Sequence, residues 1–240
     1  MTRAGDMSFN GIGIPALFME LSQVPMGDVA PNYVSMSLDE STGGTMPWWW
    51  HTSEDTIDKV DLNVLEQDTR IYLSAIWRLC RSAVLPMDFR PVMKEIATEI
   101  ADLQRVAGDH LDLSPVQRRI SALAERASDL AKRAASADSP TEISEMNRRM
   151  KMLSRILIPI TYASADRFEH DPAWSIPFLP KLQAARRLAQ LDPASDQYHF
   201  LQTELVRNRN AIAFALRQAM EVWGGGRLFR TGGARGTHPR

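Results

Sequence analysis

Cysteine is nearly absent: the 240-residue chain has one, Cys80. A single thiol excludes an internal disulfide framework, and its place in an apolar helical pattern predicts a small buried core residue. Long apolar runs are missing too. No stretch reaches the roughly 18 to 20 residues of a membrane span, and the first residues lack the basic, apolar, small-residue order of a signal peptide. Compartment is therefore not legible from this end. Charge of one sign is also missing: the formal net charge is −1, which gives no pull toward nucleic acid or an acidic membrane. No internal repeat is evident. Apolar content of 44% and charged content of 24% are those of an ordinary globular protein with enough chain to bury a core.

What is present divides near Asp61. Gly11 to Leu21 is a glycine-led apolar run that fits a buried strand of an α/β sheet. Residues 22–47 are rich in Pro, Gly, Ser, Asp and Met and read as a long loop. From Asp61 onward the pattern is helical. Leu62, Leu65, Tyr72, Leu73, Ile76 and Leu79 mark one apolar face, with Pro86 as its stop. Pro91 opens a second helix that Gly108 closes, with Met93, Ile96, Ile100 and Leu103 as its stripe. Ser114-Pro115-Val116-Gln117 and Ser139-Pro140-Thr141-Glu142 both have capping-box form. The first leads Val116, Ile120, Leu123, Ala127 and Leu130; the second leads Ile143, Met146, Met150, Leu153 and Leu157 and yields near Pro159. Residues 162–180 form a second connection, whose aromatics suggest that it packs down. A short helix over 181–191 and a long one over 196–223 complete a bundle of six helices. The Gly/Arg tail, residues 224–240, has the composition of a disordered, solvated segment.

The densest cluster of chemistry is Trp48-Trp49-Trp50-His51-Thr52-Ser53-Glu54-Asp55-Thr56. An imidazole set among indoles and followed by helix-capping acids suits a metal ligand on a rigid loop; a structural histidine wedged among tryptophans is the plainer reading of the same spacing. The tryptophans either line a substrate pocket or pack a sheet edge against the bundle. Asp6 either accepts a hydrogen bond at a site rim or forms a turn. His170, His199 and His238 converge on no ligand spacing.

Two stretches carry a resemblance to a known family. Arg3 to Phe9 with Gly13-Ile14-Pro15-Ala16, then His51-Thr52 with Asp55-Thr56 and Asp58 to Asp61, resemble the last metal-ligand segment of the di-zinc exopeptidases, the aminopeptidase, glutamate carboxypeptidase and transferrin receptor family. Ala83-Val84-Leu85-Pro86-Met87-Asp88-Phe89-Arg90 with its flanking helices is similar to the helical dimerisation domain of the glutamate carboxypeptidase and transferrin receptor branch. The resemblance implies an α+β, mostly α chain. Residues 1–61 would be the C-terminal fragment of a zinc-exopeptidase-like α/β domain, and 62–223 a helical dimerisation-like domain. It implies His51 as a zinc ligand, with Trp50, Trp49 and Asp6 near the substrate, and a homodimer formed through the helices, possible company of an upstream catalytic chain included.

The departures are specific. The family's site needs a His-x-Asp pair, a Glu-Glu pair and a further Asp ahead of the final His, yet no Glu-Glu dipeptide occurs in the chain. His110-Leu111-Asp112 has the first spacing but lies downstream, between two helices, where it reads as chance. The family's tyrosine before the last ligand is replaced by Trp50, which offers an indole N–H alone. One imidazole leaves a catalytic zinc short of ligands and of a base, so zinc belongs to the parent family and is not expected to be retained by this chain alone. The expected function is the C-terminal portion of a zinc aminopeptidase or carboxypeptidase, inactive by itself, or else a non-catalytic homodimerisation module.

Overall fold

A computed structural model of the protein describes residues 5–16, 23–31, 46–169 and 176–224. Outside them lie Leu17 to Leu21 of the expected strand, most of the expected long loop, Pro172 and Trp174 of the second connection, His170, and the Gly/Arg tail with His238.

Six α-helices dominate: α1 (Leu62–Arg81), α2 (Arg90–Ala107), α3 (Ser114–Ser136), α4 (Pro140–Tyr162), α5 (Ala185–Leu188) and α6 (Asp196–Trp223). The longest, α6, packs against both α3 and α4, while α2 packs against α3 and α5. The core follows the apolar stripes. Ile96, Ile100, Leu103, Leu123, Leu153 and Leu216 are fully buried, and the cluster they join runs from Phe89 to Trp223. Such stripes hold a bundle together because apolar area leaves water on one face of each helix at roughly 25 cal/mol per Å².

Local chemistry sets the ends. Ser139 accepts from the Glu142 N–H at 3.3 Å while Glu142 accepts from the Ser139 N–H at 3.3 Å, so the expected box forms at α4. At α3 it does not. Ser114 is already the first helical residue, and the Asp112 carboxylate accepts from its N–H at 2.9 Å. Gly108, at φ 55°, closes α2 in a conformation that suits glycine. Pro159 does not end α4, which continues to Tyr162. Its ring removes one donor near the last turn, where the Thr161 hydroxyl donates to the Leu157 carbonyl at 2.9 Å. α1 stops at Arg81, well before Pro86.

The N-terminal expectation changes most. Gly5–Ile12 is a 3-10 helix that packs on α4, not the opening of a strand. Gly13 turns the chain at φ 80°, with its Cα so close to α4 that an added Cβ would lie 2.2 Å from the Arg155 Cα. Glycine is required there both by the left-handed backbone and by the close approach. Among the described residues no sheet forms; one isolated antiparallel bridge joins Val29 to Pro47. Mostly helical is therefore the fold class, with no sheet fragment among the described residues.

Helix α1 holds the second correction. Its residues form the apolar face that the spacing predicts, yet none of them is buried. Leu62 is 73% exposed, Leu73 61% and Trp77 58%. Cys80 is exposed as well, instead of being a core residue.

Candidate functional site

The turn carrying His51 is built from short-range hydrogen bonds. The Ala30 N–H donates to the Met46 carbonyl at 2.9 Å and the Trp48 N–H to the Asp28 carbonyl at 2.7 Å, which ties the turn to the segment of buried Val29. Beyond it the Trp50 N–H donates to the Pro47 carbonyl at 3.0 Å and the Thr52 N–H to the Trp49 carbonyl at 3.0 Å. The Thr52 hydroxyl adds a 2.7 Å bond to that same Trp49 carbonyl. Two tight turns in series leave His51 at φ 61°, a left-handed conformation uncommon for a residue other than glycine. Its ring lies on Trp50, with centroids 3.7 Å apart and planes 19° apart. Trp48 meets Trp49 edge-on at 5.5 Å and stays 45% exposed.

This geometry orients an imidazole without surrounding it. His51 is exposed, and among the described residues no group of three or more His, Cys, Asp or Glu side chains is placed to hold a metal ion. A catalytic zinc takes three protein ligands plus water, a set that the described residues do not supply. Asp6 lies on the 3-10 helix docked to α4, whereas Trp49 and Trp50 sit half-buried on the turn tied to Val29. The four sequence-derived site residues thus occupy two separately anchored segments. Two of the acids behind His51, Asp58 and Asp61, have local partners. Lys59 at 2.8 Å, then the Thr56 hydroxyl, hold the Asp58 carboxyl down to about 2. Asp61 accepts from the Asn63 N–H at 2.8 Å and the Val64 N–H at 3.3 Å as the N-cap of α1.

The other histidine motif is structural. His110 Nδ1 lies 3.0 Å from the Tyr198 hydroxyl, the Gln202 side chain donates to the His110 carbonyl at 3.0 Å, and Asp112 caps α3. The segment between α2 and α3 is thereby tied to α6.

What the sequence did not indicate is that α1 leaves its apolar face exposed. Its N-cap, the Glu66–Arg70 ion pair at 2.5 Å and the Arg81 guanidinium 5.0 Å above the Trp77 ring all support the helix from within. None of them covers its apolar face. Its base is fixed by one side chain in α4. Asn147 accepts from the Leu85 N–H at 2.7 Å and donates to the Ala83 carbonyl at 2.8 Å, clamping the connection between α1 and α2. An asparagine in the middle of α4 was the one available signal for that clamp.

No family model matches the chain, and no curated protein matches it. Among the described residues, no helix is long and apolar enough to cross a membrane.

Proposed function

We propose that this chain acts through its surface and not through a catalytic centre of its own. It is a helical module whose bundle supports a docking arm, and its sequence resembles the helical domain of the zinc exopeptidases. The observation that carries this reading is α1: 20 residues of capped, amphipathic helix with no buried residue. A lone helix of this length is marginal in water unless its apolar face is covered, and exposed apolar surface of this extent marks an interaction site. Light scattering at micromolar concentration tests it: association is the expected result, and a monomer at all concentrations that binds nothing through α1 contradicts it. Aminoacyl anilides should not be hydrolysed with or without added zinc; chelator-sensitive hydrolysis would restore the enzyme reading.

A second reading rests on His51. Its left-handed backbone and its stack on Trp50 fix an exposed imidazole in place, as suits a ligand donated to a metal centre whose remaining ligands come from a companion chain. Zinc titration calorimetry separates the two readings. Zinc uptake by the chain that is abolished in His51→Ala favours the ligand role; no uptake leaves the docking role alone.

A further inference from the structure

A cavity of about 530 Å³ lies where α3, α4 and the last turn of α6 meet, apart from α1 and from the turn of His51. α3 contributes Arg126, Leu130 and Arg133, which recur at four and three residues and so share one face of the helix. α4 contributes Arg149, and α6 ends there in Trp223 and Gly224. The plain role of Arg126 and Arg149 is to cap α6. Arg126 Nη1 donates to the Met220 carbonyl at 2.9 Å, and Arg149 Nη1 donates to the Trp223 carbonyl at 2.9 Å. Those bonds cover carbonyls that would otherwise repel an anion. They also leave donors over, since a guanidinium has five N–H groups. Arg149 uses one more on Glu145 at 2.7 Å, and Arg126 has no further partner among the described residues.

Lys132 and Arg133 also line the cavity and are exposed. Lys132 lies 3.9 Å from Asp129, the one acid of the lining, in an exposed pair that water weakens. The Arg133 guanidinium has no partner among the described residues. Trp223 is 8% exposed, and its indole Nε1 has no acceptor among the described residues. A buried N–H without a partner marks a place where an acceptor is missing. Residues 225–240, which follow Gly224 in sequence, hold four arginines and no acidic side chain, so they bring no counter-charge. Four cations against one carboxylate fix the sign of a ligand, and Leu130 with the Trp223 indole gives it an apolar wall. The volume falls within the roughly 300 to 1,000 Å³ of small-molecule sites. We infer that this cavity binds a small organic anion, a carboxylate carried on a flat apolar ring. The carboxylate accepts from the guanidiniums of Arg126 and Arg133, and the ring lies against Leu130 and Trp223.

Titration of the full chain with 2-naphthoate, followed through the six indole N–H signals in a magnetic resonance spectrum, tests this. Trp223→Phe identifies the signal concerned. The Trp223 signal should shift and saturate while those of Trp48 and Trp77 stay in place. Saturation at Trp48 or Trp77 with Trp223 unmoved would put the ring on another surface and overturn the inference. So would a Trp223 shift that only grows in proportion to added 2-naphthoate. Arg133→Gln changes an exposed side chain and should keep the thermal midpoint while weakening binding about tenfold; unchanged affinity in it would contradict the assigned contact. 2-Naphthamide, the same shape without the charge, should bind at least about tenfold more weakly, and equal binding would mean that the cations do not select the ligand. Inorganic phosphate at equal concentration should leave 2-naphthoate bound. Its displacement would mean a bare anion site and overturn the ligand class.

Discussion

Helices α1 and α3 read almost alike and end up in opposite environments. Both are long, both are amphipathic, and both carry apolar residues at three- and four-residue spacing. Val116, Ile120, Leu123, Ala127 and Leu130 of α3 are all buried, whereas no residue of α1 is buried and only Asp68, Tyr72 and Ala75 are half-buried. Periodicity decides which side of a helix is apolar; it does not decide whether anything stands opposite. For α3 the opposite surfaces are α2 and α6 of the same chain. For α1, among the described residues, no side chain is buried against the bundle, and that difference separates the scaffold from the proposed docking arm.

Substitutions that shorten side chains should divide along that line. Leu153→Ala and Ile100→Ala remove groups with no exposure, and each should destabilise the fold by about 2 to 5 kcal/mol in denaturant titration. Ile76→Ala, half exposed on α1, should change the stability of dilute protein by less than about 0.5 kcal/mol. A large loss at Ile76 under dilute conditions would mean that α1 has a core within its own chain.

Gly13→Ala sharpens the contrast at the N-terminus. Its new Cβ would run into the Arg155 backbone at a positive φ, so the 3-10 helix should lift from α4 at about 1 to 3 kcal/mol. Faster amide exchange over residues 5–14, with the bundle unaltered, is the expected readout.

Asn147→Ala attacks the joint between the two regions. It removes two hydrogen bonds and leaves the Leu85 N–H without its acceptor, for about 1 to 3 kcal/mol. Exchange should quicken at Ala83 to Leu85, and association through α1 should weaken as the arm loses its fixed base.

The smallest effect is electrostatic and belongs to the bundle. Arg148, then Arg149, hold the Glu145 carboxyl down to about 2 from its ordinary 4.5. A lowered folded-state value means that this contribution is whole above about pH 4.5 and fades as pH falls toward 2. The thermal midpoint should drop across that window, and Glu145→Gln should flatten the drop. An unchanged acid limb in the variant would show that the pair is too well solvated to count.

Much of the scaffold was legible because its devices are local. The Ser139 box, Pro91 at a helix start, Gly108 at a helix end and the α3 stripe depend on residues within a few positions of one another. So does the reading of His110 and Asp112 as a chance pair, although their real partners on α6 were invisible in the sequence. What failed depended on distance. Cys80 sits in an apolar pattern and was read as core, yet its helix meets no core. The expected start of a strand at Gly11 and Ile12 is instead the end of a 3-10 helix, because Gly13 sits against Arg155, far along the chain; Leu17 to Leu21 lie outside the described residues. Ser114 has the form of a cap, but Asp112 reaches the helix start first. At the candidate site, the sequence indicated that His51 and Trp50 act together, and they stack. It gave no sign that Asp6 would be anchored on a different segment.

Amide hydrogen exchange of α1 as a function of protein concentration tests the central claim most directly. If the arm is covered by a second chain, α1 should be protected in concentrated protein and lose protection on dilution, while α3 and α6 remain protected throughout. Protection of α1 that is strong and independent of concentration would mean that the helix is covered within its own chain, and the division between scaffold and docking arm would fall.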